Sequence, residues 1–178
     1  MGRTLLLVGR PGIGKTTVIK TVAEALGDRA AGFYTEEIRG PGGREGFRLV
    51  TLDGKSAVMA HIEFRGKGNP RVSRYGVNLD AIERVGVAEL RRAIDTGQVL
   101  IVDEIGKMEL FCPPFKVTVL QAVNGPCTIV ATAMSKPHPW VDALKALPRV
   151  LLWEVTMVNR HRLAAEVAHW LRDRGSPL

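Results

Sequence analysis

Residues 9–16 contain the pattern that most constrains the fold of this chain, a glycine-rich loop that ends in lysine and threonine. The eight residues are Gly9, Arg10, Pro11, Gly12, Ile13, Gly14, Lys15 and Thr16, and they satisfy the spacing G-x-x-x-x-G-K-[ST] of a phosphate-binding loop. An apolar run over 4–8 precedes the loop and a helical pattern over 15–27 follows it, so the loop connects a predicted strand to a predicted helix. In this context the motif predicts that the chain binds a nucleoside triphosphate.

The residue types of this loop have defined roles in phosphate binding. Its glycines allow backbone conformations that a Cβ would forbid, so that successive N–H groups converge on phosphate oxygens. The N-terminus of the following helix adds its positive end to the same place. Lys15 is expected to contact the β- and γ-phosphates, and the Thr16 hydroxyl to be a ligand of Mg²⁺. Thr17 is either a contact to the α-phosphate or an ordinary residue of the first helical turn.

A second apolar run, about 90 residues further along, ends in two acidic residues. It comprises residues 99–102, all apolar, followed by Asp103 and Glu104, which is the arrangement of a Walker B strand. Asp103 is expected to hold Mg²⁺ together with Thr16, and Glu104 to polarise a water for in-line attack on the γ-phosphate. Lys15 and Glu104 are therefore the predicted catalytic residues, and Thr16 and Asp103 the predicted metal ligands.

Strand and helix patterns alternate along most of the chain. Strands are predicted over 4–8, 31–39, 47–52, 99–103, 127–132 and 150–154, and helices over 15–27, 78–96, 113–123, 139–147 and 158–173. Several strands are continuous apolar runs, which is typical of a parallel sheet covered on both faces. The sequence therefore predicts a three-layer α/β protein with a mainly parallel sheet, in a single domain over 1–178.

Residues 40–75 interrupt this alternation. The turn signal at 41–43 predicts a β-hairpin, and a further short strand is expected over 56–62, followed by a mobile loop over 65–74. Residues 39–75 contain eight basic and three acidic side chains and so supply +5 of the formal net charge of +7. This basic β-insertion is either a solvated face, a cap over the triphosphate in which Arg71 or Arg74 acts as an arginine finger, or a contact to nucleic acid.

Other features of the composition restrict the function. The two cysteines, Cys112 and Cys127, have neither metal-site nor redox spacing and are predicted to be structural. The first apolar run is too short for a secretion signal, and the uncharged stretch over 117–135 contains a proline and is predicted to be helix, turn and strand. A cytoplasmic protein without a membrane segment is expected. No feature defines an oligomeric state, and a monomer is the expectation.

Five segments resemble the successive motifs of one family. They are residues 9–17 (GRPGIGKTT), 32–39 (GFYTEEIR), 46–54 (GFRLVTLDG), 102–111 (VDEIGKMELF) and 159–160 (NR). Over nearly its whole length the chain resembles the small thermostable nucleoside-triphosphatases, whose animal members are called cancer-related nucleoside-triphosphatases. The resemblance implies a RecA-like phosphate-loop fold with an additional strand between the two Walker strands. It also implies Mg²⁺-dependent hydrolysis of ATP, GTP and other nucleoside triphosphates to the diphosphate and phosphate, with low base selectivity.

The resemblance also implies which residues form the nucleotide site. These are Gly9 to Thr16 together with Leu100, Ile101, Val102, Asp103, Glu104, Ile105, Gly106 and Lys107. Arg160 either stacks on the base through its planar guanidinium or is an ordinary surface arginine. Lys107 either forms a helix-end charge pair with Glu109 or stabilises the loop that follows Glu104. After the next strand the chain departs from the pattern of the family, which leaves Thr132 or Ser135 as the candidate sensor of the γ-phosphate.

Two further functions compete with hydrolysis. A small-molecule or nucleotide kinase would suit the size and the fold, and the basic insertion would then bind an anionic acceptor. A nucleic-acid-binding module switched by nucleotide would suit the net charge. A regulatory GTPase and an ABC-type ATPase are disfavoured, because the chain has neither Asn-Lys-x-Asp nor Leu-Ser-Gly-Gly. The adjacency of Asp103 and Glu104 favours water as the acceptor.

Overall fold

The computed structural model describes residues 2–66 and 68–173, so Lys67 of the basic insertion lies outside the described residues. The strands are β1 (Thr4–Val8), β2 (Ala30–Gly40), β3 (Gly43–Thr51), β4 (Ser56–His61), β5 (Arg71–Val72), β6 (Tyr75–Val77), β7 (Val99–Ile105), β8 (Ile129–Ala133) and β9 (Val150–Glu154). The α-helices are α1 (Lys15–Leu26), α2 (Leu79–Ala81), α3 (Ala88–Thr96), α4 (Pro113–Asn124), α5 (Pro139–Lys145) and α6 (Leu163–Arg172). A π-helical segment, Ile82–Val87, joins α2 to α3.

All of these strands belong to one sheet, in the order β5-β6-β4-β3-β2-β7-β8-β1-β9. The neighbours from β2 to β9 are parallel, and the other strands extend the sheet from β2 by antiparallel pairs. Strand β8 lies between β1, which precedes the glycine-rich loop, and β7, which contains Asp103 and Glu104. This is the additional strand that the family resemblance implied, and the predicted α/β fold with a mainly parallel sheet is confirmed.

Helices cover both faces of the parallel strands, because successive strand side chains point to opposite faces. Leu5 and Leu7 of β1 share a buried cluster with Ile19 of α1 and Val167 of α6. Leu6, between them, belongs to a second cluster that includes residues of α3, α4 and α5. The sheet is therefore the middle of three layers, as its continuous apolar strands predicted.

The basic insertion forms β-strands that extend the main sheet at one edge. The predicted hairpin is present as β2 and β3, and the short third strand as β4. The prediction of a mobile loop over 65–74 is wrong in part, because β5 and β6 form an antiparallel pair over 71–77. These strands have two and three residues, which is too short for an alternating pattern to be recognised in the sequence.

Several smaller predictions can also be compared with the fold. The last helix begins at Leu163 rather than at 158, because residues 156–162 form hydrogen-bonded turns. Both cysteines are buried and free. Within residues 2–66 and 68–173, no helix combines the length and apolar character needed to cross a membrane.

Glycine is required at position 32, where β2 pairs closely with β7. Its φ is +132°, and a Cβ added there would lie 1.9 Å from the carbonyl oxygen of Ile101. Gly32 and Ile101 are register partners in the parallel pair, so neither backbone can move without disturbing the ladder. The two strands therefore depend on the missing side chain to approach each other.

We expect Gly32→Ala to lower the free energy of unfolding by about 2 kcal/mol or more, because it adds both a steric clash and an unfavourable φ. Gly42→Ala is the matched control, since a Cβ at Gly42 meets no atom within 4 Å. Its effect should stay within about 0.5 kcal/mol. Urea unfolding of the three proteins measures both values, and equal stability of the two variants would contradict the argument.

Candidate nucleotide-binding site

The phosphate loop lies at the carboxyl end of β1 and leads directly into α1. Gly14 precedes the helix with φ +111°, a left-handed conformation that few residues other than glycine adopt. Lys15, the first residue of the helix, is only 7% exposed. Its Nζ donates a hydrogen bond to the carbonyl oxygen of Gly9 over 2.9 Å. The loop is therefore closed on itself by its own lysine, while Arg10, Pro11 and Gly12 at its tip are exposed.

The two Walker segments meet at the carboxylate of Asp103. Thr16 Oγ1 of the phosphate loop donates a hydrogen bond to Asp103 Oδ2 over 2.9 Å. Asp103 is only 1% exposed, and a buried carboxylate is costly unless its oxygens accept hydrogen bonds. The positions that the sequence assigned to the metal, Thr16 and Asp103, thus lie side by side.

Two further threonines form hydrogen bonds with the same carboxylate. Neither contact could be recognised from the sequence. Thr132 Oγ1 donates to Asp103 Oδ1 over 2.7 Å, and Thr35 Oγ1 approaches Asp103 Oδ2 at 3.3 Å. Thr35 lies on β2, two residues after Phe33, which is the register partner of Val102 on β7. Thr132 lies on β8, on the other side of β7. Asp103 therefore has one threonine from each neighbouring strand and one from the loop.

These contacts change the interpretation of Thr132. It was a candidate sensor of the γ-phosphate, but its hydroxyl is fully buried and is directed to Asp103. The other candidate, Ser135, lies on the exposed segment after β8. The structure therefore assigns Thr132 to the orientation of Asp103.

The side-chain oxygens of Thr16 and Asp103 are suitable ligands for magnesium. A hydroxyl and a carboxylate are hard oxygen ligands, and Mg²⁺ is usually bound through one or two carboxylates, substrate phosphates and water. In the part of the chain that the structure describes, no group of three or more His, Cys, Asp or Glu side chains is placed to hold a metal. Thr16 and Asp103 thus fit an ion that enters with phosphate rather than one held in a cage of protein side chains.

Glu104 follows Asp103 and is half-buried at the same edge of the sheet. Burial raises the pKa of its carboxyl, the Lys15 ammonium opposes this, and the Asp103 charge raises the pKa further. Lys145 of α5 also lowers it, and the Nζ of Lys145 is itself held by the carbonyl of Met134 over 2.9 Å. Glu104 therefore faces the phosphate-loop lysine with a raised affinity for a proton, which suits a general base.

A second carboxyl group, that of Glu109, lies close to Glu104. A Cβ added to Gly106 would be 3.2 Å from Glu109 Oε2 and 3.4 Å from Glu104 Oε1, so both groups contact the same glycine. Glu109 is 3% exposed, and burial together with the charges of Glu104 and Asp103 raises its pKa to about 8. The side chain is thus a neutral carboxylic acid at pH 7.

This arrangement contradicts the predicted helix-end charge pair between Lys107 and Glu109. Lys107 is exposed, whereas Glu109, the first residue of the 3₁₀ turn Glu109–Phe111, is buried. The sequence could not indicate this, because the two residues are separated by a single position and both are charged. Burial of the glutamate arises only when the turn packs onto the sheet.

Arg160 lies against the phosphate loop. Its guanidinium donates to the carbonyl oxygen of Ile13 over 3.4 Å, and its Cδ would be 3.8 Å from a Cβ at Gly14. Asn159 shapes the turn that presents it, by accepting a hydrogen bond from the Thr156 N–H and donating one to the Glu154 carbonyl. The hydrogen bonds of Asn159 therefore fix the turn that places Arg160 against the phosphate loop.

A cavity of about 340 Å³ opens beside this arginine. It is lined by Gly14, Thr17, Val18, Thr21, Arg160, His161 and Ala164. Since its walls come from the start of α1 and from the turn before α6, the cavity continues outward from the phosphate loop. A larger cavity of about 550 Å³ lies beyond Lys20 on α1, and no residue of the phosphate loop lines it.

The remaining predicted residues of the second segment occupy different environments. Leu100, Ile101 and Val102 are at most 1% exposed and belong to the two buried clusters on either side of the sheet. Ile105 and Gly106 are also buried, and Lys107 is exposed. The side chains that reach the sheet edge next to the phosphate loop are therefore those from Asp103 onward.

This fold and this site define a protein of the phosphate-loop NTPase class, in which loop and acidic strand end meet across an intervening strand. A family model described as NTPase matches residues 4–168. The chain belongs to this NTPase family, which confirms the resemblance seen in the sequence and, at the level of the family, the prediction of an enzyme.

Individual relatives agree with this assignment. The nucleoside-triphosphatase THEP1 of Thermotoga sp. (strain RQ2) is 39% identical over 172 residues, which cover 96% of this chain and 97% of that protein. The crystal structure of THEP1 from Aquifex aeolicus superimposes with a TM-score of 0.86 at 38% identity, covering 95% of this chain and 99% of that one. The solution structure of a human cancer-related nucleoside triphosphatase gives a TM-score of 0.82 at 34% identity, covering 98% and 100%.

The buried acid at Glu109 predicts a specific dependence of stability on pH. Its carboxyl has an ordinary pKa of 4.5 and a folded-state pKa of about 8, so between these values the folded protein holds one more proton than the unfolded chain. The contribution of Glu109 to the free energy of unfolding is thus fully present below pH 4.5 and decreases as the pH rises to about 8.

We expect Glu109→Gln to remove this decrease, because the amide stays neutral. Relative to the variant, the wild-type free energy of unfolding should fall by up to about 1.4 kcal/mol per pH unit within that interval. Chemical denaturation of both proteins at a series of pH values measures the difference. Parallel curves would show that Glu109 titrates alike in the folded and unfolded states.

Proposed function

We propose that the protein hydrolyses nucleoside 5′-triphosphates to the diphosphate and phosphate in a Mg²⁺-dependent reaction, with Glu104 activating the water. The observation that carries the proposal is the 2.9 Å hydrogen bond between Thr16 and Asp103. It brings a phosphate-binding loop and an acidic strand end to one place, which is the arrangement that phosphoryl transfer from a nucleotide requires.

The phosphate loop binds and orients the triphosphate. Its backbone N–H groups and the N-terminus of α1 attract the phosphate oxygens, and Lys15 contributes a full positive charge at the β- and γ-phosphates. When bound, Mg²⁺ neutralises charge on the same phosphates. Thr16 and Asp103 are the residues that would hold it, and the threonines that donate to Asp103 keep the carboxylate in one orientation.

Glu104 supports the choice of water as the acceptor. Its carboxylate takes a proton from the water as the water oxygen forms a bond to the γ-phosphorus. The bond from that phosphorus to the bridging oxygen breaks, and the diphosphate leaves with the electron pair. The raised pKa of Glu104 favours this proton transfer, because a carboxylate whose acid has a higher pKa is a stronger base. Glu109 lies next to it as a neutral acid and so does not repel its charge.

The cavity beside Arg160 supports low base selectivity. Its polar lining consists of two threonine hydroxyls, a guanidinium and an imidazole, and no carboxylate or carboxamide is among the lining residues. Carboxamides pair with the edge of adenine and carboxylates with that of cytosine, whereas a guanidinium pairs with guanine only when it lies in the plane of the base. A planar guanidinium stacks on any base, so ATP, GTP and other triphosphates would bind in the same way.

Glu104→Gln is expected to lower kcat by about 10²- to 10⁴-fold, because the amide cannot accept the proton. Binding of a non-hydrolysable ATP analogue should be retained, since the phosphate loop is unchanged. The matched control is Glu63→Gln, whose side chain is 80% exposed on a turn. Phosphate release by the three proteins with Mg²⁺ and ATP alone is the measurement.

The same assay separates hydrolysis from the competing function. A wild-type protein that releases no phosphate from ATP alone, and forms ADP and a phosphorylated product only after a small-molecule acceptor is added, would be a kinase. Unchanged turnover of Glu104→Gln would instead remove Glu104 from the mechanism while leaving hydrolysis in place.

Arg160→Ala is expected to raise KM for ATP and GTP by a similar factor, about 3- to 30-fold, if the guanidinium stacks on the base. Arg162→Ala is the control, because this neighbouring arginine is 69% exposed and pairs with Glu166. Initial rates over a range of nucleotide concentrations give both constants. An unchanged KM for every nucleotide would exclude stacking, and a change for ATP alone would exclude the unselective contact.

A further inference from the structure

A separate cavity of about 260 Å³ lies where the basic insertion meets the segment that follows β7. Arg71 of β5 and Lys107 lie on its wall, together with His138, which precedes α5, and Phe111 of the 3₁₀ turn. None of the phosphate-loop residues lines it. Three side chains able to donate to an anion thus line one cavity with an aromatic ring, and of these only Lys107 belongs to the segments that the resemblance assigned to the nucleotide.

The cationic groups at this cavity have no carboxylate partner among the described residues, unlike most of those in the basic insertion. The Arg71 guanidinium donates one hydrogen bond, over 3.4 Å, to the carbonyl oxygen of Ser73. Of the six other basic side chains that the structure describes in that segment, five have partners, and Arg65 is the exception. Arg39 and Arg44 pair with Glu37, Arg48 with Glu36, Lys55 with Asp53, and Arg74 donates to the Arg44 carbonyl. Across residues 2–66 and 68–173, neither Arg71 nor Lys107 forms an ion pair with a carboxylate. This distribution favours a compact anion at the cavity over a long nucleic-acid strand along the insertion.

His138 presents a hydrogen-bond donor to the cavity. Its Nδ1 accepts a hydrogen bond from the Trp140 N–H over 3.2 Å, so the neutral imidazole carries its proton on Nε2. The Asp142 carboxylate accepts a hydrogen bond from the backbone N–H of His138 over 3.0 Å and is half-exposed. The free ring nitrogen is therefore a donor, which suits a phosphate oxygen.

Phe111 indicates that a ligand of this cavity would carry a flat ring as well as an anionic group. This residue is 42% exposed, which is unusual for so large an apolar residue, and it borders the cavity. Exposed aromatic rings next to cationic groups bind flat rings by stacking while the cations bind the attached phosphate. The cavity is smaller than the about 300–1,000 Å³ usual for drug-sized ligands, which restricts the occupant to a small molecule.

We propose that this cavity is a second ligand site, which binds a small phosphate monoester attached to a flat ring. Arg71, Lys107 and His138 hold the phosphate, and Phe111 stacks on the ring. A nucleoside monophosphate is the simplest ligand of this class. The site is distinct from the phosphate loop, so its existence does not depend on hydrolysis of triphosphates.

Calorimetric titration with AMP as the probe tests the site. Phe111→Ala should weaken the binding by about 5- to 150-fold, the loss expected for one stacked ring, whereas Phe111→Tyr retains the ring and should bind as the wild type does. Arg71→Gln should weaken it at least tenfold, since a charged contact to phosphate is lost. Val117→Ala and Arg91→Gln are the matched controls, because both residues are exposed and lie on helices away from the cavity.

Arg160→Ala distinguishes this site from the proposed nucleotide site. If AMP occupies the second cavity, its affinity is unchanged in Arg160→Ala and reduced in Phe111→Ala. The reverse pattern would place AMP beside the phosphate loop and overturn the inference, as would absence of AMP binding to the wild type. Phosphate release from ATP, measured on the same preparations, reports on the hydrolytic site independently.

Discussion

The buried carboxylate of Asp103 is the interaction on which the arrangement of the site depends. A charge placed in the interior is tolerated when several donors surround it, and here hydroxyl groups come from the phosphate loop, from β2 and from β8. Each donor belongs to a different element, so the carboxylate connects α1 and both neighbours of β7. Removal of any one threonine would affect the position of the proposed metal ligand as well as local stability.

The sheet order explains why these groups meet. Parallel strands place their carboxyl ends at one edge, and ligands of α/β sheets bind outside that edge. The phosphate loop follows β1, Asp103 ends the apolar part of β7, and β8 between them contributes Thr132. The turn after β9 adds Arg160 from the other side of β1. One edge therefore carries the groups proposed to bind phosphate, metal and base.

Much of this could be predicted from the sequence because the signals are local. The phosphate loop, the acidic strand end and the apolar strands can each be recognised within a dozen residues. The role of Thr35 could not be predicted, because it depends on which strand becomes the neighbour of β7. The protonation of Glu109 likewise depends on burial, and β5 is too short to show a period. What the sequence did not reveal is thus set by tertiary packing.

The hydrogen bond from Lys15 to the Gly9 carbonyl has a consequence for how the loop receives its ligand. The ammonium group is already fixed inside the loop by an internal acceptor, so a phosphate oxygen has only to replace that acceptor. Little side-chain entropy would then be lost in the proposed binding. Such preorganisation leaves more of the electrostatic attraction available for affinity and lets the loop capture triphosphate without first rearranging.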